Sequence, residues 1–187
     1  MAINITTVFL VTLFTFGAQT RNTFANAASS EPIVEVRPIS TPDGAATRVS
    51  AVIDIGASPA AVWAVLADCA RAPEVIPHLE SCRIVERDSS GRWDIREHII
   101  NPPLLPRIRT LVRNDFNAPR RFAFKLIGGD MRVSDGAWTL QPLNGGTRVS
   151  YDAVIAPKFS APQFLITRAL SQDFPAMLKS IQRASAP

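Results

Sequence analysis

The sequence predicts an α+β fold in which an antiparallel sheet of about seven strands has one apolar face, covered by a long C-terminal helix. Apolar and polar residues alternate through six successive segments after residue 80, the pattern of strands buried on one side. Gly, Pro or Asn occupies each of three joints between these segments, as hairpin turns require. The last segment, residues 160–183, instead repeats its apolar residues at helical spacing.

The first 27 residues have the pattern of a leader. Val8–Ala18 is apolar but shorter than the about 20 residues that span a bilayer. Ala25-Asn26-Ala27 follows it with the small-x-small pattern of a signal-peptidase site. We predict a cleaved signal peptide over residues 1–27 and a periplasmic or secreted mature protein. An N-terminal membrane anchor is the alternative.

The charge pattern argues against a nucleic-acid partner. The formal net charge of the 187-residue chain is only +4. Nucleic-acid binding calls for clustered Lys and Arg. Here Arg is scattered, and Lys occurs only at Lys125, Lys158 and Lys179.

Cys69 and Cys82 both lie in the expected mature chain. Outside the cytoplasm an even number of cysteines favours a disulfide. This bond would close a loop of about 14 residues and contribute about 3 kcal/mol. Two buried free thiols, or a chemical role, are the alternatives.

The mature chain opens with an N-terminal extension, residues 28–46, that contains a candidate hairpin strand. The turn of this hairpin is indicated by Pro42-Asp43-Gly44. The main domain is expected to follow over residues 47–184, and its first strand over residues 47–55. Ser58 is a suitable N-cap and Pro59 suits the first helical position, so a helix is expected over 58–68. This helix has no charged residue before Asp68, which places it between protein surfaces. Prolines then allow one more short helix near 72–77.

Alternation assigns the faces of the later strands. Arg107, Arg109, Arg113 and Asp115 share one side of their strand, and this side is expected to be wet. Apolar residues of the next strand, such as Phe122, point to the opposite side. The C-terminal helix covers that apolar side. We expect a capping box of Ser160 and Gln163 at its start, and Pro175 lies within it.

Three stretches carry a resemblance to a known family. "ASPAAVWAVLAD" resembles the first helix, "VIPHLESCRIVER" the short helix entering the next strand, and "GGDMRVSDGAWTLQPLNGGTRVSYDAVIAPKF" the closing hairpin of the polyketide cyclase/dehydrase and coenzyme Q-binding group of the START-related (SRPBCC) superfamily. The resemblance implies the helix-grip fold, in which a curved sheet wraps around the C-terminal helix. It also implies a deep apolar cavity for lipids, quinones, sterols or polyketides. In place of the aromatic residue that often follows the first helix of this group stands Cys69, which argues against a respiratory quinone chaperone.

Candidate cavity residues follow from strand parity and helix spacing. Glu97 shares the parity of Trp93 and Ile95, so it is a candidate buried acid or base, although solvent or a paired Arg would remove that role. His98 has the opposite parity and is expected to be exposed. Only one of Tyr151 and Asp152 can face the cavity, and Tyr151 is the better group to orient a ligand. The full predicted lining comprises Trp93, Ile95, Glu97, Phe122, Phe124, Trp138, Tyr151, Leu170, Phe174 and Met177.

Residues 100–108, "INPPLLPRI", form an unusual proline-rich loop. Leu104 and Leu105 would form an apolar rim that gates the cavity or transiently contacts a membrane. Alternatively, both pack against the C-terminal helix.

The sequence favours binding over catalysis, because it has a large apolar face and few converging polar groups. No motif for a metal, a phosphate loop or a catalytic triad occurs, so no cofactor and no metal is expected. The expected function is an exported binding or carrier protein for a hydrophobic small molecule. The alternatives are a polyketide cyclase/dehydratase-type enzyme that uses Glu97 or Tyr151, and a scaffold with a filled core.

Overall fold

The computed structural model describes residues 30–186. The predicted signal peptide, residues 1–27, lies outside the described residues. Within them, no helix is both long and apolar enough to cross a membrane. The elements in chain order are β1 (Ile33–Thr41), β2 (Gly44–Ile55), α1 (Pro59–Ala67), α2 (Ala72–Val75), β3 (Leu79–Arg87), β4 (Trp93–Ile100), β5 (Ile108–Asn117), β6 (Arg121–Gly129), β7 (Met131–Leu143), β8 (Gly146–Pro157) and α3 (Gln163–Ser185).

The strands form one antiparallel sheet of eight, in the order β1-β2-β8-β7-β6-β5-β4-β3. The predicted α+β class and meander are confirmed. Residues 30–186 contain eight strands rather than about seven, because the N-terminal extension pairs fully with the first domain strand, from Ile33 opposite Val52 to Thr41 opposite Gly44. The sheet therefore begins inside the extension that the sequence separated from the main domain.

Helix α1 packs where its sequence predicted. The hydroxyl of Ser58 accepts a hydrogen bond from the Ala61 amide at 3.3 Å and caps the helix. Val62 and Val65 are buried, and the helix contacts α3, β7 and β8. Its lack of a charged stripe is explained because protein lies on several of its sides.

Helix α3 runs across the concave face of the sheet, with Phe174, Met177, Leu178 and Ile181 buried beneath it. The expected capping box does not form, because the helix begins later, with Pro162 at the N-cap position. The Gln163 amide instead donates to the hydroxyl of Thr47 on β2 at 2.8 Å. This bond links the start of α3 to the N-terminal end of the sheet.

The most completely buried part of the core lies toward one end of the sheet. Val49, Ile53, Val62, Val149 and Leu178 are fully buried where β2, β8, α1 and α3 meet. Toward β4, β5 and β6 the helix and the sheet separate. This separation leaves the cavity that forms the candidate site.

Candidate functional site

A cavity of about 290 Å³ lies between the inner face of β4–β8, helix α3 and the α1–α2 segment. Its walls are mainly apolar side chains from the middle of the sheet and from one face of α3. Its volume is close to the lower limit of about 300 Å³ for small-molecule sites in proteins. The space is therefore suited to one compact apolar molecule.

Seven of the ten predicted lining residues border this cavity. Tyr151 is at the centre of an aromatic group, with ring centroids 4.6 Å from Trp138, 4.9 Å from Phe174 and 5.9 Å from Phe124. Such distances are typical of favourable aromatic pairs. Of the predicted residues, the cavity wall includes Phe122, Phe124, Trp138, Tyr151, Leu170, Phe174 and Met177.

The predictions for Trp93, Ile95 and Glu97 are wrong, because the odd-numbered residues of β4 face away from the cavity. The Arg113 guanidinium lies over the Trp93 ring, 4.4 Å from its centroid. Glu97 pairs with Arg83 at 2.8 Å and with Arg109 at 2.5 Å. Hydrogen bonds from these two arginines hold the Glu97 pKa below its usual range. Glu97 is thus an ionised group on the outer face of the sheet.

The even-numbered residues of β4 place an ion pair beneath the cavity. Asp94 and Arg96 are 1% and 3% exposed, and their side chains approach to 2.9 Å. Asp94 also accepts from the Asn114 amide at 2.7 Å, and Arg96 donates to the Ala67 carbonyl at 2.8 Å. Buried charges need such partners, since an unpaired one is strongly destabilising. Arg96 therefore lines the cavity as a neutralised group.

His98 lines the cavity as well, so its expected exposure is wrong. Burial and, to a smaller extent, the Arg96 charge lower the pKa of His98 to about 4, although the Asp94 charge partly opposes them. His98 is neutral near pH 7 as a result. A neutral imidazole has one donor and one acceptor nitrogen available for a ligand.

Tyr151 faces the cavity and Asp152 faces out, as parity predicted. Asp152 bonds to Arg48 and Ser50 on the outer face. Burial, reinforced by the Asp152 charge, raises the pKa of Tyr151. The phenol therefore keeps its proton near pH 7 and is a hydrogen-bond donor in the cavity wall.

The two leucines of the proline-rich loop lie in different environments. Pro102 and Leu105 line the cavity, whereas Leu104 is 86% exposed. Leu104 is in the left-handed region, with φ of 63°. The loop thus places Leu105 in the cavity wall and Leu104 on the surface, and the two leucines do not act as a pair.

A histidine–carboxylate contact joins α3 to the segment before β3. His78 Nε2 lies 3.3 Å from Asp173 Oδ1, and Asp173 lines the cavity. Burial raises the pKa of Asp173, and the nearby His78 opposes that shift. The carboxylate thus gives this edge of the cavity acidic character.

Cys69 and Cys82 form a disulfide with a Cα–Cα distance of 5.4 Å. The bond ties the segment that follows α1 to β3. Within residues 30–186, no cluster of three or more His, Cys, Asp or Glu side chains could hold a metal ion.

The architecture, a curved antiparallel sheet gripping a C-terminal helix over an apolar cavity, defines the class of START-like helix-grip proteins. A family model described as polyketide cyclase/dehydrase and lipid transport matches residues 55–182. The chain therefore belongs to this family, within the START-like (SRPBCC) superfamily.

Solved structures share this fold at low sequence identity. A STAR-related lipid transfer protein from Xanthomonas axonopodis is similar with a TM-score of 0.69 and 16% identity, over 83% of this chain and 93% of that one. An aromatase/cyclase from a Streptomyces species is similar with a TM-score of 0.64 and 15% identity, over 74% of this chain and 92% of that one. A START superfamily protein from Mycobacterium smegmatis is similar with a TM-score of 0.64 and 16% identity, over 73% of this chain and 94% of that one. No curated protein matches the sequence.

Proposed function

We propose that the protein is an exported binding or carrier protein for a hydrophobic small molecule. The single observation that carries this proposal is the cavity of about 290 Å³ between the sheet and α3. Burying apolar ligand surface contributes about 25 cal/mol per Å². Lipid transfer proteins and aromatase/cyclases among the structural relatives support a hydrophobic ligand.

The polar groups in the cavity favour a ligand with few polar atoms. Arg96 is neutralised by Asp94, and neither His98 nor Tyr151 carries a charge near pH 7. The Tyr151 hydroxyl and one nitrogen of His98 each serve to orient a carbonyl or hydroxyl of the ligand. Quinones and simple lipids fit this description.

Native mass spectrometry of protein purified from cells without detergent tests this function. We expect a bound apolar molecule that is released on denaturation and can be identified after extraction. An unliganded mass, together with no uptake of an added quinone, fatty alcohol or polycyclic aromatic compound, would contradict the proposal.

Catalysis of a polyketide cyclisation or dehydration is the second candidate function. It is favoured by Tyr151 and His98, two polar side chains that line the same cavity. In this scheme protonated Tyr151 polarises a ligand carbonyl, and Glu97 has no part because it faces outward. Turnover of a poly-β-ketone analogue that is lost in Tyr151→Phe, with unchanged substrate binding, would support an enzyme over a carrier.

We also propose export and transient membrane contact. Export is supported by the leader-like residues 1–27 and by the Cys69–Cys82 disulfide, since such bonds persist in oxidising compartments. N-terminal sequencing of the mature protein should show that its first residue follows Ala27.

Membrane contact is supported by two exposed apolar side chains, those of Leu104 and Phe164, which are 86% and 68% exposed. Replacing both with Ser should reduce co-sedimentation with phospholipid vesicles, and equal co-sedimentation would contradict the contact.

A further inference from the structure

A second, smaller cavity adjoins the first. Its volume is about 170 Å³, and it lies between the β1–β2 turn, the end of β8 and the start of α3. The two cavities share four wall residues, namely Ile155, Pro157, Phe159 and Ile166. Because both cavities border these same apolar side chains, the two spaces are adjacent, and an elongated ligand that lies along these side chains can contact both.

The smaller cavity differs in its chemistry. Its wall includes Arg132, Gln163, Thr47 and Ser160, and none of its lining residues is acidic. The Arg132 guanidinium donates one hydrogen bond, to the carbonyl of Ala45. It forms no ion pair with a carboxylate among residues 30–186, which leaves its charge unneutralised.

The acidic residue nearest to Arg132 in sequence does not pair with it. Asp130, two positions before Arg132, accepts a hydrogen bond from the backbone N–H of Arg109 at 2.7 Å and forms no ion pair with Arg132. By contrast, the charge of Arg96 in the large cavity is neutralised by Asp94. Asp173 adds a carboxylate to another edge of the same cavity. An anionic group on a ligand is therefore disfavoured inside the large cavity and favoured beside Arg132.

We infer that the two cavities form one bipartite site for an anionic amphiphile, with its apolar body in the large cavity and its carboxylate or phosphate beside Arg132. This inference rests on the proposed binding function and deepens it by naming the ligand class. The hydroxyl of Ser160, which lines the smaller cavity, provides a further hydrogen-bond donor for the head group. Because Arg132 is exposed, its contribution is that of a partly solvated ion pair, a change of about fivefold in affinity.

The test compares two probes that differ only in charge. An uncharged fluorescent compound, N-phenyl-naphthylamine, is bound to the protein and displaced by dodecanoate or by dodecanol. In Arg132→Gln we expect half-displacement by dodecanoate to require about fivefold more ligand. We expect dodecanol to be unaffected, and added salt to weaken only the dodecanoate complex.

Two further variants serve as controls. Arg121→Gln makes the same charge change at an exposed position at the far end of β6 and β7, where Arg121 lies opposite Thr139. It should alter neither displacement. Arg132→Lys keeps the charge and should retain most of the dodecanoate affinity, which separates loss of charge from loss of folding.

The outcomes distinguish the head-group site from the binding function. If dodecanoate and dodecanol both displace the probe but Arg132→Gln affects them equally, the head-group site is refuted and the binding function stands. If acetate, which has the carboxylate without the chain, competes as well as dodecanoate, a free-anion site replaces the bipartite one. If the wild-type protein takes up none of these probes, both proposals fail.

Discussion

Asp94→Asn provides the sharpest test of the buried ion pair beneath the cavity. The substitution removes the carboxylate charge that faces Arg96 at 2.9 Å, while Arg96 stays 3% exposed. An uncompensated buried charge costs about 3–5 kcal/mol. The contacts of Arg96 with the Phe116 and Phe122 rings, at 5.6 Å and 5.4 Å, offset only part of that cost. We therefore expect a large fall in the free energy of unfolding.

Urea unfolding followed by circular dichroism measures this loss with the disulfide intact. At about 2 kcal/mol per M of urea, the midpoint should fall by about 2 M. The matched control is Asp115→Asn, which breaks the exposed pair with Arg113 at 3.1 Å and should cost about 1 kcal/mol or less. Equal losses of stability in the two variants would show that Arg96 is solvated, and would contradict a buried Asp94–Arg96 ion pair beneath the cavity.

Three further predictions follow from the site. His98 binds protons more weakly when folded, with a pKa near 4 against 6.5 unfolded, so stability should be lost as pH falls from 6.5 toward 4, by up to about 3 kcal/mol. His98→Gln should remove that part of the pH dependence in urea titrations, and an identical profile would show that His98 titrates normally. Reducing the Cys69–Cys82 disulfide, whose sulfurs are 13 residues apart in sequence, should cost about 3 kcal/mol in unfolding experiments, whereas an unchanged transition would mean that the bond does not restrain the unfolded chain. Glu97→Gln should leave ligand affinity and its pH dependence unchanged in fluorescence titrations, and a lost pH dependence would return Glu97 to the cavity.

Most of the fold could be predicted from local patterns in the sequence. Turn residues marked the hairpins, and Ser58 with Pro59 marked the start of α1. The prediction of a capping box at Ser160 was wrong because Gln163 hydrogen-bonds to Thr47 instead. Thr47 is distant in sequence, so a local motif cannot reveal this contact. Tertiary contacts of this kind override local capping preferences.

The residues of the candidate site were harder to predict from the sequence, and strand β4 shows why. Its charged residues Asp94 and Arg96 looked like an outer face, although they are buried because they satisfy each other. The correct parity was recoverable from β5, whose outward arginines were assigned correctly. In an antiparallel pair, opposite residues share a face. Since His98 lies opposite Thr110, the register of this hairpin would have placed His98 inside.

Binding of an uncharged apolar probe to two tryptophan variants of α3 tests the central claim, a ligand cavity between this helix and the sheet, most directly. Ala169 lines the cavity, whereas Ala176 on the same helix is exposed. We expect Ala169→Trp to fill the space and weaken binding of N-phenyl-naphthylamine about tenfold or more, and Ala176→Trp to bind it as the wild type does. Equal binding by both variants would place the ligand elsewhere and contradict the claim.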